Sequence, residues 1–597
     1  MQSLTSATPA RLDRWVHRVA TLCLSLALAA CGGGDSEELK DVVSVSVKSA
    51  TASTMAAPDV TLTSITKLSE TRVSRTVFDY VFQISVKNNG TQALSGVTAT
   101  LKGVGAGTTI VDGTVQLGNL AAGVTVTPQD TITLRQDRTV AFSPGALSWT
   151  IVAAGPVGAA WAGIREDGAP KPGSDTAYAV ATDASGNVFV AGKSEGVLPG
   201  STGSGLPDPF VAKYSASGDL LWIRSILTLR SGLGTTDSAY GVATDSIGNV
   251  YVTGDTVDTL PGETKAGGRD AFIAKFDGNG NRLWAHLLGT TGTDQARAIA
   301  VDGSGNAYIV GASDGRLPLQ PPGVGELFIA KFDTNGSRQW IHQWGSGGDG
   351  ANRDASNGVA VDAAGNAYMT GYIPFNYAGT TPGGSGDAFA AKYDSNGNQV
   401  WFSRFKGMGN DQSNAIAVAG DGNTIYLTGR TNSDFDLPGF PAQTIFCCGT
   451  PDAFIARLDG NGSLQWIHNL SSPSSGPTHF DDRGFGVATD ATGSVAFIAG
   501  YTNGAMPGET SKGFYDPFVA RYEGNGTRTW VRQFGSSLPS TAGIMNLWDH
   551  AFGIALDPAG DLFVVGDSIG TFGAPNPSTG HADWFVMKLR PADGTLY

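Results

Sequence analysis

Cysteine, histidine and positive charge are all scarce in this chain, and each shortage removes a class of function. The 597 residues hold only 4 Cys and 7 His. The histidines match no metal-binding spacing, and H-E-x-x-H is absent. Lys and Arg number 39 against 53 Asp and Glu, a net charge of −14. Nucleic acid is therefore a poor candidate partner, because its phosphates would be repelled where they need Lys and Arg. The apolar run from Val19 to Ala30 is too short to cross a bilayer as a permanent helix. Helical periodicity is nearly missing as well. A P-loop, a dinucleotide fingerprint and a nucleophile elbow each need a strand-to-helix turn, so none is expected.

What the chain has instead is a repeat. Seven times an acid opens a strand of small residues: Asp175, Asp237, Asp294, Asp354, Asp411, Asp482 and Asp549. Seventeen or eighteen residues later a glycine closes the second strand, at Gly192, Gly254, Gly311, Gly371, Gly429, Gly500 and Gly566. Phe210, Phe272, Phe328, Phe389, Phe454, Phe518 and Phe585 mark the third strand. A tryptophan stands twelve residues after each of the first six, and Tyr597 twelve after the last. Each repeat supplies four runs of strand-forming residues separated by Gly, Asn and Asp turns. Four strands per repeat predict an all-β, seven-bladed β-propeller over residues 156–597. Trp161 precedes Asp175 by fourteen residues, as Trp340 precedes Asp354. A strand around Trp161 is therefore expected to complete the last blade. The D-A-F-I-A-K-F-D-G-N-G and A-V-D-x-x-G-N-A-Y motifs resemble the SBBP family of bacterial propeller repeats, a resemblance that implies the fold and transfers no catalytic residues.

Arg11, Arg14 and Arg18 followed by the apolar run and Leu28-Ala29-Ala30-Cys31 resemble a bacterial lipoprotein signal. The resemblance implies removal of residues 1–30 and a lipid on Cys31, and Gly32 in place of Asp implies sorting to the outer membrane, on its periplasmic or outer side. Acyl chains would then be the only membrane contact. Residues 31–58 read as a flexible tether, and residues 59–155 as alternating strands of a small Ig-like β-sandwich. Cys447 and Cys448 are the only thiols left in the mature chain. A bridge between them would compress the Cα separation to about 3.8 Å, below the usual disulfide range. Free thiols and a strained vicinal disulfide both stay open.

In a propeller the two hairpin turns of each blade share one face and the remaining loops the other. The hairpins hold constant spacing, whereas Gly429 to Phe454 is twenty-five residues against seventeen to nineteen elsewhere. Ligand recognition is expected on the variable face, over blades five to seven. The seven opening aspartates could hold Ca²⁺, although a residue repeated in every blade more commonly caps a turn. Phe446, Cys447 and Cys448 offer a stacking platform, while Asp549, His550, His581 and Asp583, with His479, gather imidazoles and carboxylates in one region. The reading that follows is a monomeric envelope lipoprotein whose propeller binds a glycan or a protein ligand. An extracellular polysaccharide lyase or hydrolase with carboxylates over the channel is the alternative.

Overall fold

A computed structural model of the chain describes residues 38–39, 44–47 and 60–597. Excepted are the segments 90–93, 157–163, 168–172, 196–207, 227–236, 318–325, 346–353, 375–385, 433–449, 474–479, 537–547 and 573–580, with a few isolated positions. The described residues contain strands and turns and no helix long and apolar enough to cross a membrane. They divide into two compact units, Met1–Ala160 and Trp161–Tyr597.

In the first unit, two antiparallel-dominated sheets enclose one core. Ile84 and Val86 of Val77–Asn88 and Leu134 of Ile132–Asp137 come from one sheet. Ala99 and Leu101 of Leu94–Gly103 and Trp149 of Ser148–Val152 come from the other. Alternation of buried and half-buried positions along Val77–Asn88 is the period-two pattern of a strand with one face on a core. Two details correct the expected boundaries. Residues within the expected tether form strands, Glu38–Leu39 against Val60–Arg72 and Ser44–Val47 parallel to Ser148–Val152. The physical reason is legible in V-S-V-S-V, which alternates as a strand does. Gly155–Pro156 pairs with Leu94–Gly103 and so belongs to the sandwich rather than to the following unit.

Among the described residues the second unit contains seven four-stranded antiparallel sheets, a propeller scaffold. Six use four consecutive strands of one repeat, as in Asp175–Thr182, Val188–Ser194, Asp208–Tyr214 and Leu220–Ser225. The seventh takes its outer strand from upstream. Ile164–Asp167 pairs with Asp583–Leu589, beside Leu562–Ser568 and Asp549–Leu556. Trp161 itself lies outside the described residues. Tyr597, which stands at the tryptophan spacing, is on no strand; its hydroxyl donates to Asp561. The first strands of successive repeats neighbour one another, and Asp549–Leu556 lies against Asp175–Thr182.

Neighbouring sheets are fastened at the hairpin end by the repeated residues. The indole N–H groups of Trp222, Trp284, Trp340, Trp401, Trp466 and Trp530 each donate, at 3.0 to 3.3 Å, to a carbonyl in the next repeat's second hairpin turn. The hydroxyls of Tyr251, Tyr308, Tyr368 and Tyr426 likewise donate to turn carbonyls of the following repeat. Most of these turns are built by an Asp that accepts backbone N–H bonds from residues two and four further on, as Asp277 does from Asn279 and Asn281; Ser215, Ala419 and Glu523 stand in its place in three of them.

Candidate functional site

A cavity among the first strands is lined by the residue three positions after each opening aspartate, and a β-bulge puts it there. In all seven repeats the pairing of the first and second strands skips that residue. An unpaired extra residue bends its strand and turns its side chain out of the ladder. The strand-closing glycine is the other half of the device. A Cβ on Gly192, Gly311 or Gly566 would meet the carbonyl oxygen of Thr176, Gln295 or His550 at 1.9, 1.8 and 1.7 Å. No other residue fits opposite the bulge, which accounts for a glycine there in every repeat.

Seven equivalent bulges thus deliver Tyr178, Tyr240, Arg297, Asn357, Asn414, Phe485 and Phe552 to one cavity of about 190 Å³. Its lining is two-sided. Tyr240, Tyr178, Phe552 and Phe485 run ring to ring, with centroids 5.1, 5.6 and 5.5 Å apart. Opposite them, the Arg297 guanidinium donates to Asn357 Oδ1 at 2.8 Å. Asn357 in turn donates to the Ser413 carbonyl, and Asn414 to that of Gly484. Burial pushes the Arg297 pKa down.

Above this waist, at the end away from the hairpins, sits a second varied layer. The residue after each aspartate is Thr176, Ser238, Gln295, Ala355, Gln412, Arg483 or His550. Across the ladder stand Lys193, Asp255, Ala312, Tyr372, Arg430, Tyr501 and Asp567. The last three repeats concentrate chemistry here. His550 Nδ1 is 2.8 Å from Asp567 Oδ1, and Thr176 Oγ1 donates to the other oxygen at 3.1 Å. The Tyr501 ring lies 4.7 Å from His550 and 5.0 Å from Tyr515, which reaches Trp548 at 6.4 Å. Phe514 packs on Tyr515, and Phe514 and Trp548 remain 45% and 46% exposed, so the wall ends in open aromatic surface. Arg483 holds Asp481 through two bonds of 2.7 Å and lies over Tyr501. Burial pushes the Tyr501 hydroxyl up to about 12. On the far side, Asp255 accepts from Arg269 at 2.8 Å and from Gln295 at 2.6 Å.

The opening aspartates occupy a different place. All seven are fully buried. Asp294 accepts from the backbone and hydroxyl of Thr290 and from Ser313, and Asp549 accepts from the same two groups of Ser536 and from Ser568. Asp482 is held by Ser472, Asp411 by Thr431, Asp237 by the Val257 N–H and Asp175 by the Glu195 N–H. The Asp354 N–H donates to Glu326, the acid that opens the preceding repeat's third strand. These bonds buckle each first strand to a neighbouring segment. Among the described residues no three His, Cys, Asp or Glu side chains gather closely enough to hold a metal ion. The expected Ca²⁺ ring has no such cluster to occupy.

Of the other expected site residues, His550 stands in the aromatic wall. His581 is exposed, and no bond joins it to His550 among the described residues; Asp567, which sequence reading missed, is the partner instead. Cys31, Phe446, Cys447, Cys448 and His479 lie outside the described residues. The strings Gly311-Ala-Ser-Asp-Gly315 and Gly566-Asp-Ser-Ile-Gly570 do read G-x-S-x-G. Their serines end strands with no helix following among the described residues, and both are spent on Asp294 and Asp549. They are not nucleophile elbows. Arg483, Tyr501, Asp567 and the bulge residues also escaped sequence reading, although for Arg483 and the bulge residues a signal was present: along the repeated first strand the positions one and three after the aspartate vary most.

Comparison with known proteins supports the repeat. The SBBP family, described as a beta-propeller repeat, matches residues 216–257, 283–318 and 400–436, so the chain carries SBBP propeller repeats. The chain is 28% identical over 400 residues to the regulatory protein FlaEY of Caulobacter vibrioides, covering 60% of this chain and 39% of that one. An uncharacterized WD repeat-containing protein of Acanthamoeba polyphaga mimivirus is 23% identical over 487 residues, 67% of this chain and 34% of its own. The chain therefore spans between a third and two fifths of these relatives' lengths. Among solved structures, a Lactobacillus plantarum protein aligns with TM-score 0.36 and 12% identity over 70% of this chain and 100% of its own. The polysaccharide lyase Uly1 aligns with TM-score 0.36 and 10% identity over 69% and 89%.

Proposed function

We propose that the seven sheets are the blades of one closed seven-bladed propeller and that this propeller is a binding scaffold. It presents the mouth over blades five to seven to a glycan, while an Ig-like N-terminal module and a lipid on Cys31 hold it at the outer membrane. One observation carries the reading. Repeats that agree at the hairpin end place Arg483, Tyr501, His550, Asp567, Tyr515 and Trp548 together at the mouth, in contact from one to the next. Aromatic surface beside a few fixed polar groups is the usual composition of a ligand site. The full-length chain, probed on a glycan array, is expected to bind, and Trp548→Ala is expected to abolish binding without lowering Tm by more than a few degrees. Binding unchanged in that variant would refute the location. For the anchor, a palmitate label that is lost in Cys31→Ser is the expected result.

A second reading, an extracellular lyase or hydrolase, is favoured by the His550–Asp567 pair. A carboxylate that orients an imidazole beside a tyrosine ring is an arrangement suited to acid–base work. Product release from a polysaccharide panel that disappears in His550→Gln, while binding persists, would establish it; a binding-only protein would leave every polymer intact.

A further inference from the structure

Among the described residues Arg430 is a cation bonded to no anion. It lies near the end of the second strand of repeat five, Thr424–Thr431, opposite Gln412. It is half-buried and makes no side-chain hydrogen bond or ion pair among the described residues. Other half-buried arginines of the second unit have partners: Arg404 pairs with Asp387 at 2.6 Å, Arg269 with Asp255 at 2.8 Å and Arg483 with Asp481 at 2.7 Å, while Arg297 and Arg457 donate to neutral oxygens, of Asn357 and the Gly524 carbonyl. The charged groups facing Arg430 are Arg483, which opposes its charge, and Asp481, already held by both arms of Arg483; Tyr501 and Tyr372 complete its surroundings. Burial first, and Arg483 next, push the Arg430 pKa down. Holding two guanidinium groups near one carboxylate in a chain of net charge −14 is costly unless something brings a further negative charge.

We propose, resting on the glycan-binding reading, that the mouth takes an acidic saccharide whose anionic substituent bonds the Arg430 guanidinium while its ring faces stack along Tyr501, Tyr515 and Trp548. A guanidinium offers two parallel N–H donors to a carboxylate or a sulfate. The aromatic wall begins at Tyr501, which stands beside Arg430, and ends in the exposed Trp548 ring. A chain of sugar units with one acidic group at the Arg430 end fits that order. A wall of flat rings leading to the Arg430 guanidinium suits it better than an acidic peptide, which would call for several cations along the wall.

The test is calorimetric titration of the full-length chain with uronate-containing, sulfated and neutral oligosaccharides of equal length, and with a glutamate-rich peptide. Either the uronate or the sulfated series is expected to bind at least about tenfold more tightly than the neutral one, the difference identifying the anion. Added salt should weaken that binding, and Arg430→Gln should remove the preference while Tm holds or rises. Arg430→Lys should restore part of it. Equal affinity for neutral and acidic sugars, or an Arg430→Gln variant with unchanged preference, would overturn the acidic ligand and leave the glycan reading standing. Binding of the peptide alone, or of no ligand, would overturn both.

Discussion

The two ends of each first strand obey different rules. Toward the hairpins the residues mostly recur from repeat to repeat, and that end fastens neighbours: an Asp shapes most turns, and the fourth strand's Trp N–H enters the next repeat's turn. Toward the mouth, two positions in every strand are free to vary, and they carry Tyr, Arg, Asn, Phe, His, Gln and Thr. Alternation along a strand lets one segment serve both purposes, because neighbouring side chains face different surroundings. The bulge is what joins the two, since it is as invariant as the turns yet delivers the varied residue.

The sharpest way to break this comparison is to remove the bulge. Gly311→Ala would drive a Cβ to 1.8 Å from the Gln295 carbonyl oxygen, backbone that cannot give way cheaply. A loss of roughly 3–5 kcal/mol is expected from such overpacking, read as a drop in denaturant midpoint.

A smaller effect comes from the buried acids. Burial pushes Asp237 and Asp411 up to about 7 and Asp482 to about 6. A carboxyl whose pKa is higher in the folded than in the unfolded chain holds its proton more tightly when folded. Stability from these groups is therefore greatest in acid and falls as pH rises from about 4 through 7, each group costing up to a few kcal/mol at neutrality. Melting temperature measured against pH should decline over that window, and Asp411→Asn should flatten the decline.

The fasteners should follow. Trp401→Phe removes one N–H donor to the Gly460 carbonyl, for a loss of about 1–2 kcal/mol by unfolding. At the other end of the scale, His550→Thr, the residue repeat one uses there, gives up the bond to Asp567 and should cost about 1 kcal/mol or less.

The repeat, the four strands per repeat and an upstream strand for the last sheet were all legible in the chain, because each follows from spacing that sterics enforce: Gly opposite a bulge, Asp in a turn, Trp over the next turn. The site was legible only in part. His550 drew notice as a histidine, but it was grouped with Asp549, His581 and Asp583 rather than with Asp567, directly across the ladder, because register across a bulged pair of strands cannot be read from spacing alone. Nothing in the sequence marks Arg430, and that it bonds no anion among the described residues emerges only once the strands are paired. For the aspartates, repetition itself argued for a structural role over a Ca²⁺ ring, and their bonds to Thr290 and Ser536 are of that kind.

The most direct test of the central claim exchanges chemistry at the mouth for what other repeats carry in the same places: Arg483→Gln, as in repeats three and five, together with His550→Thr, as in repeat one. Melting temperature and glycan-array binding are then measured on the same preparation. The account predicts a melting temperature within a few degrees of the parent and binding lost. Binding retained, or a fold that collapses when two residues already used in other repeats are placed there, would contradict it.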